Sequence, residues 1–171
     1  MIIIPFKDEE NARIRELKKF DIPSLESMAQ DSEIQRNFFK LESSEDYFQS
    51  AVNWNNERPR DYWGFVIEAN KTPAGYIHLI ENELKNNAQV DFFIDKKYRN
   101  KHLASSALKI ISNFAFQGLH LDSIEAKVSP SNEASKKVLQ ANGFEFYDES
   151  DYNLEKDGAE GKYEIYTVFR N

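Results

Sequence analysis

Three apolar runs separated by short polar breaks dominate the middle of the chain. They read YWGFVIEA (Tyr62–Ala69), AGYIHLIENEL (residues 74–84) and VDFFI (residues 90–94), with NKTP and NNAQ between them. Aromatic and β-branched residues in such density favour strands. A parallel return needs a crossover of a dozen residues or more, so breaks this short admit only hairpins. The three runs therefore predict an antiparallel meander. The third run ends against a cluster of cations, Lys96, Lys97, Arg99 and Lys101. A helical pattern follows at once, with Leu103, Ala107, Ile110, Ile111 and Phe114 on one face. A charged turn at a strand-to-helix junction is either a solvated turn or an anion site. The first N–H groups of a helix have no partner inside it, and the helix dipole favours negative charge there.

The flanks extend the pattern. ARIRELKKFD (residues 12–21) opens as a short strand. Asp21 is expected to cap a helix that begins near Pro23 and runs through PSLESMAQ. SEIQRNFF reads as a second short helix. SSEDYFQSAVNWNNE (residues 43–57) reads as a third, with Tyr47, Phe48, Ala51, Val52 and Trp54 apolar. Ser43 or Ser44 would cap it, with acids in the first turn. Beyond the central helix, SIEAKVSP puts Ile124, Ala126 and Val128 on one side of a strand. NEASKKVLQANGF reads as a helix with Ala134, Val138 and Leu139 inward and Gly143 closing it. FEFYDES and YEIYTVFRN read as closing strands around an acidic loop within residues 147–164. This order predicts an α/β fold with a mixed, mostly antiparallel central sheet of about six or seven strands and helices on both faces. Residues 1–171 are expected to form one domain.

Composition narrows the chemistry. The chain has no cysteine, which excludes disulfides, thiol catalysis and cysteine-held metals. Its three histidines, His78, His102 and His120, are too scattered for a zinc site, so no metal is expected. The net charge of −7 argues against a nucleic-acid partner and is compatible with a cationic substrate. The opening MIIIPFKDEENAR has neither the basic region nor the long apolar stretch of a signal peptide, and no run is long enough to span a membrane. The expected location is the cytoplasm, with no membrane partner and a monomer or homodimer as the assembly.

The element order resembles the GNAT superfamily of acyl-CoA-dependent N-acyltransferases, and within it the ribosomal-protein-alanine N-acetyltransferase branch. Two segments carry the resemblance. The coenzyme loop of that family, Arg/Gln-x-x-Gly-x-Gly/Ala, is similar to Arg99-Asn100-Lys101-His102-Leu103-Ala104, with His102 in place of the central glycine. VSPSNEASKKVLQANGF matches the Asn-x-x-Ser and Asn-Gly-Phe pattern of the branch. The resemblance implies acetyl-CoA as co-substrate and direct attack by a primary amine in a ternary complex. The amine belongs to a protein N-terminus or a small molecule. The backbone N–H groups of the loop would cradle the pyrophosphate, those around Phe93 and Ile94 would hold the thioester oxyanion, and Asn132 would bind the pantetheine arm. Asn132 also suits a plain N-cap.

The reaction sets its own requirements. An ammonium with a pKa near 10.4 must lose a proton before it attacks. The oxyanion needs donors, and the leaving thiolate benefits from an acid. Ser135 matches the serine that the branch proposes as this acid, or it is a surface serine; the tyrosine used elsewhere in the superfamily is replaced by Leu139. Strand alternation puts Gln89, Asp91 and Phe93 on one face, toward the substrate groove, and Val90, Phe92 and Ile94 on the other, toward a helix. Where the branch often has glutamate this chain has Gln89. The candidate bases are Asp91, then Glu81 and His78 on the neighbouring strand. The acidic stretch is either a solvated loop or a means of steering a cationic amine. Two other readings remain compatible with the sequence: a catalytically weak CoA-binding or regulatory module on this fold, and a protein-interaction domain without CoA.

Overall fold

Alternation along the meander sorts its side chains between two separate cores. In this computed structural model, which describes residues 3–6, 11–39, 46–154 and 159–171, Phe65, Ile67, Ile77, Leu79 and Val90 face one way, and Val66, Tyr76 and Phe93 the other. The strands are β1 (Ile3–Pro5), β2 (Ala12–Glu16), β3 (Tyr62–Ala69), β4 (Thr72–Asn82), β5 (Asn87–Ile94), β6 (Ser123–Val128), β7 (Glu145–Leu154) and β8 (Ala159–Phe169). They form one eight-stranded sheet in the order β1-β2-β3-β4-β5-β6-β8-β7. Every neighbouring pair is antiparallel except β5 and β6. Helices α1 (Ile22–Met28), α2 (Ser32–Asn37) and α3 (Tyr47–Trp54) cover the Val66–Tyr76–Phe93 face. Helices α4 (Leu103–Asn113) and α5 (Glu133–Ala141) cover the other. The expected mixed sheet between two helical layers is thus present.

Local chemistry explains most boundaries. β3 and β4 are joined through Asn70 and Lys71, both left-handed (φ 52° and 62°), the geometry that a two-residue hairpin turn requires. α4 buries Leu103, Ala107, Leu108 and Ile111, while Ile110 and Phe114 of the anticipated stripe are partly buried at its edge. α5 closes at Asn142 and Gly143 follows at φ 82°.

Five expectations change. β1 adds a strand on the edge beside β2. Asp21 precedes α1 but does not cap it: its carboxylate accepts from both Arg15 Nη atoms at 2.7 Å and from the Lys18 N–H at 2.9 Å. Arg15, 6% exposed, also donates to Glu68, and this ion network outcompetes the helix end for the carboxylate. Ala134 is exposed on a face of α5 that lines a cleft, and Leu139 supplies the fully buried contact of the helix. Much of the supposed acidic loop is the β7–β8 hairpin, in which Asp148, Glu149 and Asp151 are exposed residues on paired strands. Ser43 and Ser44 lie outside the described residues, and α3 starts after Asp46, with no acid in its first turn.

The β5–β6 pair positions the site. Its parallel pairing runs from Asn87↔Ser123 to Gln89↔Glu125. Beyond that rung the two strands continue to Ile94 and Val128 without pairing to each other.

Under the α1–α3 layer, the Tyr62 and Tyr76 hydroxyls meet at 2.6 Å above Gly64. A Cβ at Gly64 would stand 2.4 Å from Tyr76 Oη and 2.9 Å from the Tyr62 ring. Gly64→Ala is expected to lower the unfolding free energy by about 1–3 kcal/mol. Urea denaturation would show a reduced midpoint at unchanged slope.

Candidate active site

At the end of β5, Asp95 caps a single 3-10 turn (Lys96–Tyr98), accepting the Lys97 N–H at 2.9 Å. Arg99 is extended; Asn100 and His102 are both left-handed, at φ 59° and 56°. His102 is the residue before α4, and its carbonyl accepts the first helical bond from Ser106 at 3.0 Å. The chain therefore reverses twice over four residues and presents the unbonded N–H groups of the first turn of α4 outward. Histidine tolerates the left-handed backbone that glycine would adopt freely.

These N–H groups open onto a cleft of ≈ 670 Å³. One wall is Phe92, Phe93 and Ile94 of β5; a second is Ile34, Asn37 and Phe38 from α2 and the residue after it. The third wall is α5, through Asn132, Ser135 and Val138. Phe93, Ile94, Arg99, Asn100, Lys101, His102, Leu103, Ala104 and Asn132, named from sequence for the coenzyme, all line this one cleft, and so does Ser135. Asn132 Oδ1 accepts the Ser135 N–H at 3.2 Å, the N-cap geometry. Leu139 points into the core behind α5, away from the cleft.

Arg99 has a second task. Its Nε donates to the Ile94 carbonyl at 3.2 Å, Nη1 to Glu33 at 2.5 Å and Nη2 to Asp31 at 3.3 Å. Asp31 also caps α2 through the Glu33 and Ile34 N–H groups. Burial works against the charge on Asp31, but these N–H groups and Arg99 outweigh it and hold the carboxyl below the usual range. The guanidinium thus ties α2 to the coenzyme loop and sets the separation of two cleft walls.

The three candidate bases are not equivalent. Asp91 lies on the same face of β5 as Phe93, with its side chain 21% exposed. Gln89 Nε2 donates to its Oδ2 at 2.7 Å. His78 is on that face too, buried, pairing with Asp91 across β4–β5. Glu81 is on the opposite face, where its Oε1 accepts from Trp63 Nε1 at 2.5 Å; Trp63 in turn packs against Phe114. The structure therefore brings Asp91 and His78 together and separates Glu81 from them by the thickness of the sheet.

Sequence reasoning missed the partners of these residues. Asp31 and Glu33 were hidden because their contact with Arg99 spans 66 residues or more. The tyrosines around His78 left a fainter signal: Tyr76 and His78 stand two apart, on one strand face.

A strand pair that diverges, a helix N-terminus at its mouth and a polar N-cap from the next helix bound one cleft. The acetyltransferase (GNAT) domain family matches residues 11–145, and the chain belongs to this family. It is an acetyl-CoA-dependent N-acetyltransferase. The spermidine N(1)-acetyltransferase of Escherichia coli (strain K12) is 24% identical over 141 residues, covering 78% of this chain and 73% of its own. The fold matches that of RimL, a ribosomal L7/L12 α-N-protein acetyltransferase, with a TM-score of 0.82 at 17% identity, over 99% of this chain and 94% of that one. It also matches the spermidine N-acetyltransferase of Vibrio cholerae in complex with CoA and spermine, with a TM-score of 0.79 at 18% identity, over 94% and 96%. Among the described residues no helix is long and apolar enough to cross a membrane.

Two outcomes follow from the loop. Arg99→Ala is expected to lower both the melting temperature and CoA affinity, because it releases α2 as well as the loop, whereas Lys101→Ala weakens CoA alone; thermal melts and calorimetry separate them. His102→Gly is expected to bind CoA at least as tightly as the wild type and to melt no lower, since it relieves a left-handed side chain at a cost of order 1 kcal/mol. His102→Ala keeps the Cβ and should melt below the glycine variant.

Proposed function

We propose that the protein acetylates a cationic primary amine, a polyamine or the amino group of a polypeptide N-terminus, by direct attack on acetyl-CoA with Asp91 as the base. The observation that carries this is the position of Asp91 in β5. It is the first residue on its face past the last β5–β6 rung, and Phe93, the next on that face, lines the cleft. The arrangement fits a thioester laid along the unpaired edge of β5. Backbone N–H groups around Phe93 and Ile94 would then face the developing oxyanion. Pyrophosphate would sit on the first turn of α4, with Lys101 adding attraction. Asn132 would use its side-chain N–H on the pantetheine arm, since its carbonyl oxygen caps α5.

In the reaction, the amine N–H bond breaks and the proton passes to the Asp91 carboxylate. The nitrogen lone pair attacks the thioester carbon, and the tetrahedral species collapses with departure of the thiolate. Ser135, in the first turn of α5 and on the cleft, is the candidate acid for that thiolate. The acidic net charge of −7 favours the approach of either cationic acceptor. The sequence relative and the V. cholerae neighbour act on spermidine by name, and RimL on a protein N-terminus.

Acetylation assays with spermidine and with a free-amine peptide, read by CoA release, decide the acceptor. With the better acceptor, Asp91→Asn is expected to lower kcat about 10²-fold or more at unchanged CoA affinity. Ser135→Ala should cost less, because water can protonate a thiolate. Wild-type turnover in Asp91→Asn would remove Asp91 as the base.

A further inference from the structure

Behind the apolar wall of the cleft lies a buried polar chain that no step above uses. His78 is 5% exposed. Its Nδ1 lies 3.0 Å from Tyr47 Oη, which lies 3.1 Å from Tyr62 Oη, which lies 2.6 Å from Tyr76 Oη. On its other side, Nε2 lies 3.5 Å from Asp91 Oδ2. Nε2 is buried and makes no hydrogen bond among the described residues. Its spacing to Asp91 is just beyond the usual N–H···O range of about 2.7–3.2 Å. A buried polar atom held this way is costly, and a functional site is one place where such a cost is retained.

We propose that His78 is a positioning residue for Asp91: its Nε2–H points at Oδ2 and orients the carboxylate that receives the amine proton. The proposal rests on the reading of Asp91 as the base. A lone pair on Nε2 would face an ionised carboxylate oxygen across 3.5 Å, which is repulsive, whereas an N–H is attracted. With the proton on Nε2, Nδ1 of the neutral ring is an acceptor, and the Tyr47 hydroxyl donates to it. Each phenol has one proton, so a single direction follows: Tyr76 donates to Tyr62, Tyr62 to Tyr47, Tyr47 to His78, and His78 toward Asp91. Burial pushes the Tyr62 and Tyr76 hydroxyls above the ordinary phenol range, so both remain protonated donors.

The surroundings fit this task. The titratable groups facing the imidazole, among the described residues, are Asp91 from β5, Tyr47 from α3, Tyr62 from β3 and Tyr76 from its own strand. The segment after α2 contributes the Phe38 ring, edge-on at 5.6 Å. Phe38 and Phe93 line the cleft and wall the imidazole from it; Asp91, partly exposed, stands beside that wall, two residues before Phe93, and is not itself a lining residue. Gln89 donates to the same Oδ2. Gln89 holds this oxygen at 2.7 Å and the His78 N–H adds attraction across 3.5 Å, a contact that would shorten in the reactive complex, as catalytic hydrogen bonds do.

The test uses His78→Leu, His78→Gln, Tyr47→Phe and Asp91→Asn with the acceptor established above. His78→Leu is expected to lower kcat about ten- to hundredfold, the cost of misplacing a reacting group, with CoA affinity unchanged. The acid limb of its kcat/KM profile should move to higher pH, because a carboxylate that loses a donor is more easily protonated. His78→Gln retains a side-chain N–H and should recover most of the rate. Nitrogen-15 NMR of the wild-type imidazole should show a protonated Nε2 and an acceptor Nδ1, a state that Tyr47→Phe loosens. This wild-type measurement does not depend on any variant folding, and an Nδ1–H tautomer overturns the proposal. Wild-type rate and an unmoved acid limb in His78→Leu, with Asp91→Asn inactive, overturn it while the base assignment stands. Full activity of Asp91→Asn overturns the base assignment, and this proposal with it.

Discussion

The parting of β5 from β6 after the Gln89↔Glu125 rung is the constraint on which the rest depends. Strand backbone groups need partners, and a buried edge left without them is costly. β5 nevertheless continues to Ile94 with its far side unpaired to β6, and α4 begins within nine residues of that strand end. α5 begins just after the end of β6. The gap is therefore bounded by one strand edge and two helix N-termini, all rich in N–H donors. In open α/β sheets ligands bind beyond the carboxyl ends of strands where neighbouring connections diverge, and this gap is such a place.

Electrostatics around the gap are divided between scaffold and ligand. The strand-to-helix junction looks like a cationic patch in sequence, yet the Arg99 charge is already met by Glu33 and Asp31. Its value is geometric: it holds α2 at a fixed distance from the coenzyme loop. Lys101, which also lines the cleft, is more exposed than Arg99. The other strong ion network, Arg15 with Asp21 and Glu68, lies far along the sheet and fixes the entry into α1. Burial opposes the Glu68 charge, but Arg13 and Arg15 outweigh it and hold its carboxyl below the usual range.

The face beneath α1–α3 is unusual in combining a dense aromatic cluster with hydroxyls in its interior. Phe38 makes edge contacts with Phe39, Tyr47, Tyr76, His78 and Phe93. Rings in edge contact resist rotation, because each quadrupole favours a small set of orientations. Gly64 lets Tyr76 and Tyr62 approach closely enough for their hydroxyls to bond. Packing and hydrogen bonding thus restrain the same tyrosines, and the cleft wall formed by Phe38 and Phe93 inherits that rigidity.

The sequence by itself determined the elements and their faces. Alternation in residues 62–94, the stripe along α4 and the Ile124–Ala126–Val128 spacing each name the buried side, because period 2 and period 3.6 are local properties of the backbone. The two segments around Arg99 and Asn132 marked residues that line one cleft for the same reason: a loop and a cap are encoded by adjacent residues. β1 escaped notice since three residues carry too short a pattern, and Asp21 does not cap α1 because Arg15, six residues earlier on β2, competes for its carboxylate, which helix-start signals do not record. Only the tertiary structure decided that Glu81 and Asp91 lie on opposite faces, that Arg99 is held by α2, and that His78 joins three tyrosines. The His78–Asp91, Tyr47–His78 and Arg99–Glu33 contacts each link residues at least 13 apart in the chain, and which distant side chains meet is set by sheet order and helix docking, which no local pattern records.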